Sequence, residues 1–352
     1  MTANYLAGKR ILGESDKTVT TTGSFQGWKE LGRTTLSSEA DDITVSGLAN
    51  KRYLMVLVHC TDTGQANCNI RFNGDTGSNY GTQTNRNGSQ SNYSSANFIQ
   101  MNYNSTHDDK FHVFFVANKS DKPKLTISMG LERGANSGAS NAPSTINAMG
   151  KWHNTSDAIS SITIHNTGSG GFTSGSEVVV LGHDPLDTHT SGHFWDQLAS
   201  VELSSDGNII DSGVFTAKKY LWFQIYKRSA SGDNPYMLIR YNDDDDQDYT
   251  YRYQENYGSS TTATSQNKLT PSFVDEYEFV NAFAINTAGN EKLTWLDIVA
   301  SASAGSGASG KPDTWQLGTK WVDTSNQITR IQADSGSGNF ATGSWIKVWG
   351  HD

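Results

Sequence analysis

Four aspartates in a row, Asp243, Asp244, Asp245 and Asp246, sit inside the stretch YNDDDDQDY (241–249). Carboxylates this close repel one another, and a hard cation such as Ca2+ relieves that repulsion. They are a weak cation candidate, for loosely held calcium at most, and no firm metal site and no cofactor are expected. The stretch departs from the twelve-residue calcium loop, which needs Gly at its sixth position and Glu at its twelfth. A second stretch, FNGDTGSNY (72–80), has the same outline, with glycines where the first has aspartates. Asn and Asp also favour turns, because their side chains bond nearby backbone and tolerate positive φ.

Other residues have the composition of catalytic groups without their setting. His183-Asp184 and His351-Asp352 could form acid–base dyads, but each follows an apolar strand and reads as its polar end. His107-Asp108-Asp109 has no counterpart in the second half of the chain. The chain lacks G-x-S-x-G, H-E-x-x-H, a phosphate-binding glycine loop and Cys/His zinc spacing. No pair of carboxylates stands out for glycoside hydrolysis. No catalytic residue is assigned, and the chain is expected not to be an enzyme. Tyr80, Tyr93, Tyr249, Tyr251 and Tyr253 lie in polar surroundings, as do Tyr103 and Tyr257. Amphipathic rings so placed are a candidate recognition surface for a glycan or a protein. Packing against neighbouring loops is the equal alternative.

The elements that position these residues occur twice. GWKELGRTTLSSEADDITVSG (27–47) returns as FWDQLASVELSSDGNIIDSG (194–213), with Trp28 matching Trp195 at an offset of 167. KRYLMVLV (51–58) matches KKYLWFQI (218–225), and KWHNTSDAISSITI (151–164) matches KWVDTSNQITRIQA (320–333). GSGGFTSGSEVVVLGHD (168–184) matches GSGNFATGSWIKVWGHD (336–352), and the offset drifts only between 167 and 169. The two polar stretches are one such pair, sharing an Asn, an Asp, the closing Tyr and the Arg before each. Trp28, Trp152, Trp195 and Trp321 recur and are expected in the core. Two homologous domains follow, 24–185 and 192–352, behind an arm over 1–23 too polar to fold alone. The joint PLDTHTSG (185–192) is short, so the domains are expected to touch.

Within each unit the apolar period is two: YLMVLVHC, FHVFFVA, ISSITI and EVVVLG are short, rich in β-branched and aromatic residues, and bounded by turn formers. About eight such strands per unit predict an all-β chain of two tandem antiparallel β-sandwich domains, jelly-roll-like, with an extended N-terminal arm. Only 18% of residues are charged and 35% are hydrophobic, which suits short strands joined by polar turns. The net charge of −9, with no basic cluster, argues against nucleic acid. No apolar run reaches the length of a membrane helix or signal segment, so synthesis in a cytoplasm and no membrane insertion are expected. Cys60 and Cys68 are read as free thiols.

The opening W-x-x-L…L-S-S, the strand KRYLMVLV, then an Arg and an Asn/Asp–Gly–Asp turn ending in NY resemble the tandem β-sandwich virion proteins of tailed, marine bacteriophages. The leader NYLAGKRILGES is similar to the start of such proteins. The resemblance spans both repeats, rests on turn and core residues, and carries over no catalytic residue. It implies a structural component of a virion: a tail or fibre-associated protein, or a capsid decoration protein. The implied partners are the chain itself, as a homo-oligomer with a trimer as one form, and other virion proteins. The alternatives are an adhesin that binds host surface glycan, a double-jelly-roll capsid protein and a polysaccharide-degrading enzyme.

Overall fold

The computed structural model describes residues 27–101, 109–134, 136–184, 192–233, 235–271, 276–301 and 311–352. The arm over 1–23, the joint 185–191, Tyr103, His107 and Asp108 lie outside the described residues. Repeat 1 contributes β1 (Lys29–Thr35), β2 (Asp42–Ser46), β3 (Tyr53–Thr61), β4 (Asn69–Phe72), β5 (Tyr80–Arg86) and β6 (Ser89–Ala96). It continues with β7 (Asp109–Ala117), β8 (Lys124–Glu132), β9 (Ser144–Trp152), β10 (Ser161–His165) and β11 (Glu177–His183). Repeat 2 contributes β12 (Asp196–Glu202), β13 (Ile209–Asp211), β14 (Tyr220–Arg228), β15 (Met237–Tyr241), β16 (Tyr249–Glu255) and β17 (Ser260–Gln266). It ends with β18 (Tyr277–Ile285), β19 (Lys292–Ala300), β20 (Asp313–Trp321), β21 (Ile331–Ser335) and β22 (Trp345–His351).

Each repeat is an antiparallel β-sandwich of unequal layers. An eight-stranded sheet, β1-β11-β3-β7-β8-β9-β5-β6, lies over a three-stranded one, β2-β10-β4. Repeat 2 has the same order shifted by eleven strands, β12-β22-β14-β18-β19-β20-β16-β17 over β13-β21-β15. The duplication and the sandwich class are therefore as the sequence predicts. The strands number eleven per repeat among the described residues instead of about eight, because polar strands escape a search for apolar alternation. β6 reads SQSNYSSA and β17 reads STTATSQ. Both lie at sheet edges, where polar side chains discourage pairing with other chains.

The two sheets of each sandwich enclose a separate core. In repeat 1 Val56, Val58, Phe114 and Val116 of the large sheet meet Ile43, Ile70 and Ile164 of the small one. In repeat 2 Phe223, Ile225, Val280 and Leu296 meet Ile210, Ile239 and Ala333. Trp152 and Trp321 belong to these cores, as expected. Trp28 and Trp195 do not. They are half-buried and pack against a third cluster that joins the two repeats.

Each core also holds a buried ion pair, with opposite polarity in the two copies. Cys60 pairs across the ladder with Lys110, and the Lys110 ammonium bonds Asp62. At the equivalent rung Lys227 faces Glu278, and their charged groups are 2.7 Å apart. All four charged side chains are fully buried. A buried charge needs a partner, but the site is indifferent to which strand carries the cation. Cys60 and Cys68 are buried and not joined in a disulfide, and Cys60 lies beside the first pair.

Candidate functional site

The two polar stretches form the same sheet corner. Asn73 and Asn242 both adopt positive φ, at 52° and 53°. The Asn73 side-chain oxygen accepts from the Ser160 and Ser161 amides at 2.8 and 3.1 Å, and its Nδ2 donates to the Ala158 carbonyl at 2.9 Å. Asn242 does the same with the Thr329 and Arg330 amides at 2.9 and 3.0 Å and the Gln327 carbonyl at 2.8 Å. One Asn side chain thus ties the turn to the segment that leads into β10 or β21, bonding backbone groups where the strand starts.

The shared Asp and Tyr are also structural. The Trp152 indole donates to Asp75 at 2.7 Å, and the Trp321 indole donates to Asp244 at 2.5 Å. Partial burial works against charge on Asp75, but the Trp152 indole, Asn79 and the Gly77 amide outweigh it and hold the carboxyl below its usual range. The Phe72 amide donates to the Tyr80 hydroxyl at 3.0 Å, and the Tyr241 amide donates to the Tyr249 hydroxyl at 3.0 Å. Each hydroxyl then donates to the carbonyl of Asp75 or Asp244, at 3.2 and 3.3 Å.

This accounts for most of the candidate residues. Of the four aspartates, Asp244 holds the indole and Asp243 is paired with Arg330. Asp245 and Asp246 are exposed at the tip. Asp248, Asp323 and Asn326 line the same polar hollow, and burial followed by repulsion from Asp244, Asp246 and Asp323 raises the Asp248 carboxyl. Among the described residues, no group of three or more His, Cys, Asp or Glu side chains is placed to hold a metal ion. Tyr80, Tyr249 and Tyr251 are 2%, 0% and 4% exposed, so as core rings they have no face to offer a glycan. Tyr253 is half-buried against the core of repeat 2. Tyr93 is half-buried in a groove of about 320 Å3, beside Thr84, which stands where repeat 2 has Tyr253. Tyr257 is exposed. The His-Asp pairs are strand ends: Asp352 bonds Lys218 at 2.8 Å and Asp184 lies 3.9 Å from Arg52.

A feature the sequence did not single out is the face between the repeats. The two large sheets pack through their outer faces. Across repeat 1 runs the row Leu57–Val113–Met129–Asn147–Asn85, and across repeat 2 the equivalent row Gln224–Asn281–Asp297–Gln316–Gln254. Asn147 donates to Gln316 at 3.1 Å and Asn85 to Gln254 at 3.2 Å, each meeting its own counterpart 169 residues on. Phe115 likewise lies 6.3 Å from Phe283, its counterpart at 168. Residues that contact their own copies mark a two-fold axis, here a pseudo-axis within one chain.

A two-fold would bury both flanks of that row alike, and it does not. On one flank Phe111 and Leu131 of repeat 1 pack with Tyr220, Ile285, Leu293 and Trp295 of repeat 2. Gly318 permits this, since a Cβ there would overlap Leu131. Glu177 accepts from Lys219 at 2.9 Å and from the Tyr220 hydroxyl at 2.8 Å. Burial opposes charge on Glu177, but Thr35, Lys219 and Tyr220 together hold its carboxyl below the ordinary value.

The other flank is open. Tyr53, Leu125, Ile127 and Met149 are 42%, 56%, 58% and 57% exposed, although their counterparts Tyr220, Leu293, Trp295 and Gly318 are in the closed flank. A groove of about 410 Å3 runs along this strip between Trp28, Tyr53, Phe115, Leu125, Ile127 and His183. In repeat 2 the Phe194 ring occupies the equivalent space, 6.4 Å from Tyr220 and 4.4 Å from His351. Its counterpart in repeat 1 is Gly27, which has no side chain to fill it.

No family model matches the chain, and no curated protein matches it. Among solved structures, domains LG4-5 of the mouse laminin alpha1 chain are 9% identical, with 94% of this chain and 90% of that one covered and a TM-score of 0.19. The attachment invasion locus protein Ail of Yersinia pestis is 7% identical, with 78% and 99% covered and a TM-score of 0.14.

Proposed function

We propose that the protein is a non-enzymatic structural subunit that acts through protein–protein contacts, as a tail or fibre-associated component or a capsid decoration of a tailed-phage virion. The observation that carries the contact role is the open strip of Tyr53, Leu125, Ile127 and Met149, an apolar surface on the outer face of the large sheet, bordered by the exposed Lys151. Such a strip beside a built interface marks a further contact. The virion setting rests on the resemblance in the corner and strand residues. The non-enzymatic reading is supported by the fate of the carboxylates: Asp75, Asp244 and Asp352 each hold a structural donor. Binding of a host glycan would need rings other than Tyr80, Tyr249 and Tyr251, and a glycan array tests it directly. The main test is composition of the particle. Gradient-purified virions should contain the chain in stoichiometric amount, decorated by antibody in electron micrographs. Recovery of the chain solely from the soluble fraction of the lysate would contradict the proposal.

A further inference from the structure

The chain contains a demonstration of what covers the open strip. The strip's counterparts in repeat 2, Tyr220, Leu293, Trp295 and Gly318, are covered by the Phe111 and Leu131 flank of a repeat 1 sheet. The equivalent flank of repeat 2 carries Phe279 in place of Phe111, Val299 in place of Leu131, and Trp345 in place of Glu177. That flank is also uncovered: Val299 is 39% exposed, and Tyr226, Phe279 and Trp345 are half-buried. Tyr226 stacks on Trp345 at 6.1 Å and Phe279 meets Trp345 at 6.3 Å, so the rings form one apolar platform. One molecule therefore displays both halves of a contact that it makes once internally, and both are continuous with that internal interface.

We propose that the strip of one chain docks on the Phe279–Val299–Trp345 flank of a second copy, repeating between molecules the contact that repeat 1 and repeat 2 make within one. The pairing is specific. Phe111 lies 6.3 Å from Tyr220 inside the chain, so Tyr53 of one copy should meet Phe279 of the next. Leu131 packs at Gly318, so Met149 of one copy should meet Val299 of the next, at a wider separation than inside the chain because Met149 carries a side chain where Gly318 has none. Replacing Glu177 by Trp345 removes the carboxylate that receives Lys219 and Tyr220, leaving an apolar seat for Tyr53. The contact joins unlike surfaces, so it is heterologous: it closes into a ring if the rotation allows and otherwise runs on as a filament. This inference rests on the assembly role proposed above and supplies its partner.

The test uses two full-length variants with one added thiol each, Met149→Cys and Val299→Cys, both at exposed positions. The native thiols, Cys60 and Cys68, are buried. On mild oxidation the mixture should yield a disulfide-linked dimer in at least tenfold excess over either variant alone, and over a mixture of Met149→Cys with Val214→Cys. Ile127→Glu introduced into the Met149→Cys chain should abolish it. Equal yields in all mixtures, or a yield indifferent to Ile127→Glu, would overturn the second-copy contact. If that occurs while Ile127→Glu still blocks incorporation into particles, the assembly role stands with a different protein as partner. If Ile127→Glu is incorporated normally as well, both readings fail.

Discussion

Leu293 and Trp295 are buried between the repeats, while Leu125 and Ile127, at the same positions on the same strand of the same fold, stand more than half in solvent. The backbone makes no distinction between the two sites. What differs is the side chain at the approach. Gly318 lets Leu131 come close to repeat 2, whereas Met149 fills the equivalent place in repeat 1. Phe194 caps the Tyr220 end, whereas Gly27 leaves the Tyr53 end as a groove. The corners at 72–80 and 241–249 show the opposite behaviour. There every shared side chain keeps its partner and only the tip diverges. A duplicated chain thus retains side chains that close its own backbone and varies those that meet another domain.

The sharpest ways to break this comparison begin with the buried charges. Lys227→Met removes the ammonium 2.7 Å from the buried Glu278 carboxylate and should cost about 3–5 kcal/mol in urea unfolding. Adding Glu278→Leu should recover most of that loss, since a matched apolar pair is close to neutral in such a site. Next comes the interface itself. Trp295→Ala, at 2% exposure, should cost about 3–5 kcal/mol, whereas Ile127→Ala at the equivalent position should change dilute-solution stability by no more than about 0.5 kcal/mol. Equal losses would mean that both flanks are covered within one chain.

The corners should respond alike. Asn73→Ala and Asn242→Ala each remove two amide bonds and a carbonyl bond at a part-exposed turn, and each should cost about 1–3 kcal/mol, with the two values close together. Acid sharpens the closed flank. Glu177 is held below its ordinary pKa of about 4.3, so its contribution is complete above that value and is lost as pH falls below it. Glu177→Gln should flatten that acid-side loss, read as the pH dependence of the unfolding midpoint. The smallest effect belongs to the exposed tip. Asp245→Asn and Asp246→Asn should each move stability by less than about 0.5 kcal/mol.

The duplication and the sandwich class were legible because the corner residues act through hydrogen bonds of fixed geometry. Asn73, Asp75, Tyr80 and Trp152 cannot be exchanged for merely similar side chains, so their copies keep type and spacing. The loop tyrosines misled for the same reason. Tyr80 and Tyr249 stand among polar residues in sequence, yet each ring is core and only its hydroxyl serves the turn. The interface was illegible because period two reveals alternation but not which face is inward. Strand β8 alternates Leu125, Ile127, Met129 and Leu131 with Lys124, Thr126 and Ser128. The polar set lies on the sandwich side, where Ser128 bonds the Ala148 carbonyl at 3.0 Å, and the apolar set points to the other repeat and to solvent. The acidic tip drew attention through composition alone, and two of its four carboxylates turn out to serve Trp321 and Arg330.

The docking of the open strip on a second copy of the chain is the central claim, and sedimentation velocity of the full chain tests it most directly. With rising concentration the wild-type boundary should move to larger sedimentation coefficients, while Ile127→Glu, folded by circular dichroism, should sediment as a monomer throughout. A wild-type chain that stays monomeric across that range, or an Ile127→Glu chain that associates as the wild type does, would contradict it.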